Sequence, residues 1–165
     1  MQILYDPISL RLYLDGTLDA AQVSTRRAAI ATATGTVTIA ATSAATATSI
    51  LALPATAYNG GLIKIEFMAA QTNFTPATAA DYESFTIWDN DAPADLGIVA
   101  TVSGVVAAKA QVVPLYGFLE LTPAAGVHTY SVRGFKSAAD ATALVVAGAG
   151  GANTKVPMQI TATYV

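Results

Sequence analysis

Few side chains in this chain are of a type and spacing that could do chemistry. Asp89-Asn90-Asp91, with Asp95 close behind, collects hard oxygen donors in one loop, as a calcium site would. No Glu follows at the spacing of a bidentate calcium ligand, and Asp and Asn build turns by bonding their own backbone. The cluster therefore reads as a strand-breaking turn, with no metal expected. His128 is the one histidine, and cysteine is absent. With no carboxylate near His128 in sequence, a nucleophile, base and orienting group would have to come from distant residues. No catalytic residue can be named, and His128 is expected to be structural. Gly148-Ala149-Gly150-Gly151 lacks the Lys and Ser/Thr of a phosphate-binding loop and precedes a strand, so it is a flexible turn and no cofactor is expected.

Two further groups bear on binding. Trp88 and the seven tyrosines could stack on sugar rings, but large aromatics at strand positions are more often packed inside. Arg26-Arg27 is the one basic pair, a possible contact for acidic groups and, more plainly, an exposed pair on a connector.

Composition narrows the classes. The 165 residues are one domain's worth, enough to bury about 70% of the unfolded surface without a covalent staple. A net charge of −3 makes no electrostatic case for nucleic acid. Mean hydropathy is +0.50, yet there is no apolar run of about 18 residues and no secretory pattern at the start. Alanine accounts for much of that hydropathy, so no membrane span is expected. Charged residues make up 12%, against about 25% in ordinary soluble domains. Surfaces so poor in charge suit a closely packed oligomer or shell component, since interface cores are depleted in charge.

The elements that would carry these residues are strands. Ile8, Leu10, Leu12 and Leu14 alternate with Ser9, Arg11 and Tyr13 up to Asp15-Gly16, giving a strand within an amino-terminal arm, residues 1–27. Thr17 to Gln22 offers a helical turn or two. Residues 28–49 are nearly all Ala and Thr, with short strands expected near 36–40 and 48–53. Ile63, Ile65 and Phe67 oppose Lys64, Glu66 and Met68, after which residues 70–82 read as a loop. Phe85 and Ile87 oppose Thr86 and Trp88, and further strands are expected at 97–103 and 142–147. Leu115, Gly117, Leu119 and Leu121 oppose Tyr116, Phe118 and Glu120. Pro123 to Gly126 then reverses the chain, so 115–121 and 128–133 read as a hairpin. A closing strand has Val156, Met158, Ile160, Ala162 and Tyr164 on one side. Many short strands and no long helix predict an all-β antiparallel sandwich over residues 28–165.

The block from Leu121 to Arg133 contains Pro123, Gly126, His128, Thr129, Tyr130 and Arg133 in a P-x-x-G-x-H-T-Y-x-x-R pattern. Together with the glycine loop and Val156-Pro157-Met158-Gln159-Ile160, it resembles the carboxy-terminal half of small jelly-roll proteins of tailed-bacteriophage particles. A broader likeness extends to trimeric heads of the tumour-necrosis-factor type. The resemblance implies a jelly-roll topology and a non-enzymatic virion protein, most simply a capsid decoration or cement protein. Such a protein would be assembled in the host cytoplasm and sit as a homotrimer on the major capsid protein at the capsid surface. Ile8, Leu10, Leu12, Tyr13, Arg26 and Arg27 would then be partner-binding, the arm reaching a neighbour by strand addition or apolar packing. The alternative it implies is the receptor- or glycan-binding head of a fibre or spike, for which the segment around Trp88 to Asp95 is the candidate.

Overall fold

The computed structural model describes residues 3–6, 11–14, 27–139, 141–146 and 157–165, with side chains described in 28–139, 141–143 and 157–165. In chain order the strands are β1 (Ile3–Asp6), β2 (Arg11–Leu14), β3 (Arg27–Ala33), β4 (Thr36–Thr38) and β5 (Thr48–Ala52). Then come β6 (Thr56–Tyr58), β7 (Ile63–Thr75), β8 (Tyr82–Asp89), β9 (Ala94–Ser103) and β10 (Gln111–Leu121). The last are β11 (Gly126–His128), β12 (Tyr130–Lys136), β13 (Thr142–Val146) and β14 (Met158–Tyr164). One turn of 3-10 helix, Ala44–Thr46, is the helical element among the described residues.

Two antiparallel sheets face each other. The first runs β3-β14-β7, with β10 on the far edge of β7, and is extended by β13 and β4. The second runs β5-β12-β8-β9. The chain passes from first sheet to second at β3 to β5, returns at β7, and crosses again at β8, β10, β12 and β14. That alternation is the double Greek key of a jelly roll.

Strand β7 is the spine of the first sheet. Ile63, Ile65, Phe67 and Ala69 are buried by the period of two, but Thr72 and Phe74 are the buried residues farther on. The parity changes because β10 passes from Val113, opposite Thr72, to Leu115, opposite Ala69, so Ala70 and Gln71 oppose only Pro114. This is a β-bulge, and Pro114, which has no N–H to give, sits where ladder bonding is interrupted. On its other edge β7 pairs with β14 through Met68 and with β13 from Gln71 onward. From the opposite sheet Phe85 and Ile87 of β8 and Tyr130 and Val132 of β12 complete the core, with Met158 and Ile160 between β3 and β7.

Gly117 fixes how closely the sheets approach along one side. A Cβ there would lie 2.7 Å from the carbonyl oxygen of Val99, so β9 crosses β10 where no side chain fits.

Several expectations change. Leu115–Leu121 and 130–136 do not form a hairpin: β10 pairs with β7, whereas β12 pairs with β5 and β8. The Pro123–Gly126 turn carries the chain across the sandwich, and Gly126–His128 pairs with Thr56–Tyr58. Residues 70–75 are strand, not loop. Arg27–Ala33, within the Ala/Thr stretch, is an edge strand of the first sheet on β14. In the arm, β1 pairs with β2, Asp6 opposite Arg11, so two strands stand where one was expected. Ile8, Leu10 and Arg26 lie outside the described residues, as do residues 17–22, Gly148 to Gly151 and Val156. Leu12 and Tyr13 fall in β2 and Arg27 opens β3, with backbone alone described.

Candidate functional site

The polar residues singled out in sequence converge at one end of the second sheet. Asp89 closes β8, and its Oδ1 accepts the N–H groups of Asp91 at 2.9 Å and Ala92 at 3.3 Å, building the turn from its own backbone. Asp91 Oδ2 accepts the N–H of Thr129 at 2.5 Å, and the N–H of Asn90 donates to the Thr129 carbonyl at 2.9 Å. Asn90 Oδ1 accepts from Ser131 Oγ at 2.9 Å and Arg133 Nη2 at 2.6 Å. The oxygens that looked like calcium donors thus hold the β8–β9 turn to β12. Asp95 is occupied separately, accepting the Thr86 hydroxyl across a register shift between β8 and β9. Among the described residues no three His, Asp or Glu side chains gather as metal ligands.

Folding gives His128 the carboxylate that its sequence neighbours lack. Its Nδ1 is 3.1 Å from Asp89 Oδ2, and its Nε2 is 3.1 Å from the carbonyl oxygen of Ala124. The ring lies parallel to Tyr130, 5.7 Å between centroids, and Tyr58 meets Tyr130 edge-on at 5.5 Å. In a His–Asp base the outer nitrogen must face a hydroxyl or thiol. Here it faces a backbone oxygen, so the imidazole ties the 123–126 turn to β8 as a strut.

Trp88, the candidate sugar platform, is buried on the outer side of the second sheet. The Arg133 guanidinium stacks 4.3 Å from its ring centroid. Thr86 and Ser131, on the same side, are also buried. Around Trp88 this outer surface is closed by its own side chains, whereas Ile98, opposite Thr86, and Tyr82, farther along β8, remain exposed.

The outer surface of the first sheet is arranged differently. Met68, Tyr116 and Phe118 are 45%, 57% and 50% exposed, although all three stand on central or long strands. Tyr116 lies opposite Met68, and Phe118 opposite Glu66. Glu66 Oε1 accepts the Tyr116 hydroxyl at 2.7 Å and pairs with Lys64 Nζ at 2.8 Å, and the same ammonium lies 4.6 Å over the Phe118 ring. The Lys64 bond and then the Tyr116 bond hold the Glu66 carboxyl below its ordinary value, and Glu66 raises Lys64 in return. Two hollows flank the Met68–Tyr116 pair. One, about 270 Å³, lies at the bulge among Ala70, Pro114, Leu115 and Pro157. The other, about 130 Å³, is edged by Glu66, Gln159 and Thr161. The alternation at 115–121 placed Tyr116 and Phe118 away from the leucine row, which was the available signal. Which surface is left open was not visible in the order of residues.

A scan of the chain against protein-family models finds no match, and a search of curated proteins finds none either.

Proposed function

We propose that this chain is a non-enzymatic structural protein of a tailed-phage particle, a decoration or cement protein that oligomerises on the head shell and stabilises it. The observation that carries the reading is the open outer surface of the first sheet. An exposed apolar and aromatic patch on a monomer marks an interaction surface, and aromatic residues with Met are enriched where proteins meet. Tyr116, Phe118 and Met68 fit that role. The low charge of the chain and the resemblance of residues 121–160 to jelly-roll virion proteins point the same way.

In this reading the open surface packs on a second copy within a homotrimer, and the arm of residues 1–27 reaches the major capsid protein. Ile8, Leu10, Leu12 and Tyr13 supply its apolar contacts, and Arg26 and Arg27 its charged ones. The glycan-binding alternative needs an exposed ring near residues 88–95, and Trp88 is buried beneath Arg133, which places that alternative second.

Sedimentation of the purified protein with undecorated heads, and separately with host cells, tests the reading. Recovery with heads, lost on deletion of residues 1–16 while the sandwich stays folded, is the expected outcome. Recovery with cells alone would replace it with the receptor-binding role, and full head binding by the truncated protein would remove the arm from it.

A further inference from the structure

Glu83 projects between the sheets from β8, in the inward row with Phe85 and Ile87, and has no exposed surface. Its Oε2 accepts the Thr72 hydroxyl at 2.9 Å, a bond from the second sheet to the first. Thr72 can reach it because the bulge in β7 turns that residue inward. The other oxygen, Oε1, is buried with no hydrogen-bond partner. A carboxylate in such a place lacks both water and a counter-charge, and the charged form is disfavoured. Burial pushes the carboxyl up to about 7, while the Thr72 bond acts in the opposite direction.

The groups around Glu83 are few. Its register partners are Val102 on β9 and Lys136 on β12. Asp81 lies just before β8, and its carboxylate accepts the Thr78 N–H and the Ser137 hydroxyl. Asp140, near Lys136 in sequence, is outside the described residues. Lys136 is therefore the cation facing Glu83 among the described residues. Directly opposed residues on antiparallel strands have Cβ atoms about 5 Å apart on one face, so the two stems start side by side. Yet the buried Lys136 ammonium is turned to the carbonyl oxygens of Ala139, at 2.9 Å, and Ala141. Those carbonyls belong to the connection between β12 and β13.

We propose that Glu83 and Lys136 form a proton-operated clamp: with Glu83 neutral, Lys136 holds the carbonyls of Ala139 and Ala141, and with Glu83 ionised its ammonium moves to Oε1 and releases them. The proton leaves to solvent and the charge it leaves behind is met by a cation already inside. Ala141 leads into β13, which pairs with the distal part of β7 and with β4. Loosening is thus expected where β13 lies along Gln71–Thr75, beyond the bulge in β7.

Amide hydrogen exchange of the full chain over residues 137–146, normalised for the intrinsic pH dependence of exchange, reads the clamp. From about pH 5 to about pH 9 the wild type should lose at least about tenfold in protection. Glu83→Gln should keep the acid-form protection at both ends of that range, and Lys136→Met should lack it at both. Unchanged protection in the wild type, or a fall in Glu83→Gln that matches the wild type, overturns the proposal. If either variant does not fold, carbon-13 resonances of the Glu83 carboxyl and the Lys136 Cε in the wild-type protein decide. The clamp requires both to shift with one midpoint, and a Lys136 signal indifferent to Glu83 ionisation overturns it.

Discussion

The two outer surfaces of this sandwich start from similar strand material, yet Trp88 on one and Tyr116 and Phe118 on the other end in opposite states. On the second sheet Trp88 is buried under Arg133, which is itself fixed by Asn90, and Ser131 and Thr86 spend their hydroxyls on neighbours. On the first sheet Tyr116 and Phe118 stand half exposed beside a Lys64–Glu66 pair. The aromatic residues are comparable in size. What differs is the polar cover: the second sheet has a turn, 89–92, that folds back and supplies acceptors, whereas among the described residues no such turn lies over Tyr116. A large ring left uncovered on a regular sheet gains its burial from another molecule, and a ring covered by its own chain contributes to folding instead.

That contrast is broken most severely by Trp88→Ala. Removing a buried Trp should cost about 3–5 kcal/mol of unfolding free energy, measured by denaturant titration. A loss no greater than that of Phe118→Ser would show the two surfaces to be equivalent after all.

Both surfaces must be compared at one pH, because the interior between them titrates. The folded-state value of Glu83, about 7, lies above its ordinary 4.5. The folded protein therefore holds this proton more tightly than the unfolded chain does. The stability tied to it is complete below about pH 4.5 and falls as pH rises toward about 7, by about 3 kcal/mol in all. Glu83→Gln should flatten that dependence in denaturant midpoints taken across the window. A slope that survives the substitution would assign it to another group.

A smaller effect is expected from Arg133→Met, which keeps an apolar cover on Trp88 and removes the guanidinium. Loss of the cation–ring contact and of the Asn90 bond should cost about 1–2 kcal/mol, since Ser131 still donates to Asn90. Red-shifted Trp88 fluorescence would report the ring opening to water. No loss of stability would mean that the cover comes from elsewhere.

Sequence pattern made the local half of this architecture legible and left the non-local half hidden. Ile63-Ile65-Phe67, Phe85-Ile87 and Met158-Ile160 each show the period of two that buries one row, and all three rows are core. Alternation fails where β7 bulges, which is why residues 70–75 looked like loop. It also fails in β3, where small Ala and Thr side chains give little contrast between faces. The Pro123–Gly126 signal announces a reversal but not whether the next strand returns to the same sheet. Likewise Asp89 and His128 are 39 residues apart and meet only because β8 and β12 pair. Turn chemistry explained the Asp-Asn-Asp cluster; what the cluster grips had to come from the fold.

The smallest expected effect on folding belongs to the open surface, and it is the most informative about function. Tyr116→Ser with Phe118→Ser removes two rings whose outer halves already face water, and the Lys64–Glu66 pair remains to satisfy the carboxylate. Their burial is supplied largely by whatever covers the first sheet, so the unfolding midpoint of the isolated chain should move little. If that cover is a second copy, sedimentation equilibrium should show the wild type associating and the double variant as single chains of 16.8 kDa. Association retained in the double variant would separate the exposed rings from oligomerisation. A folded monomer in both proteins would leave the open surface to a different partner, and the head-binding assay would then carry the whole weight of the structural reading.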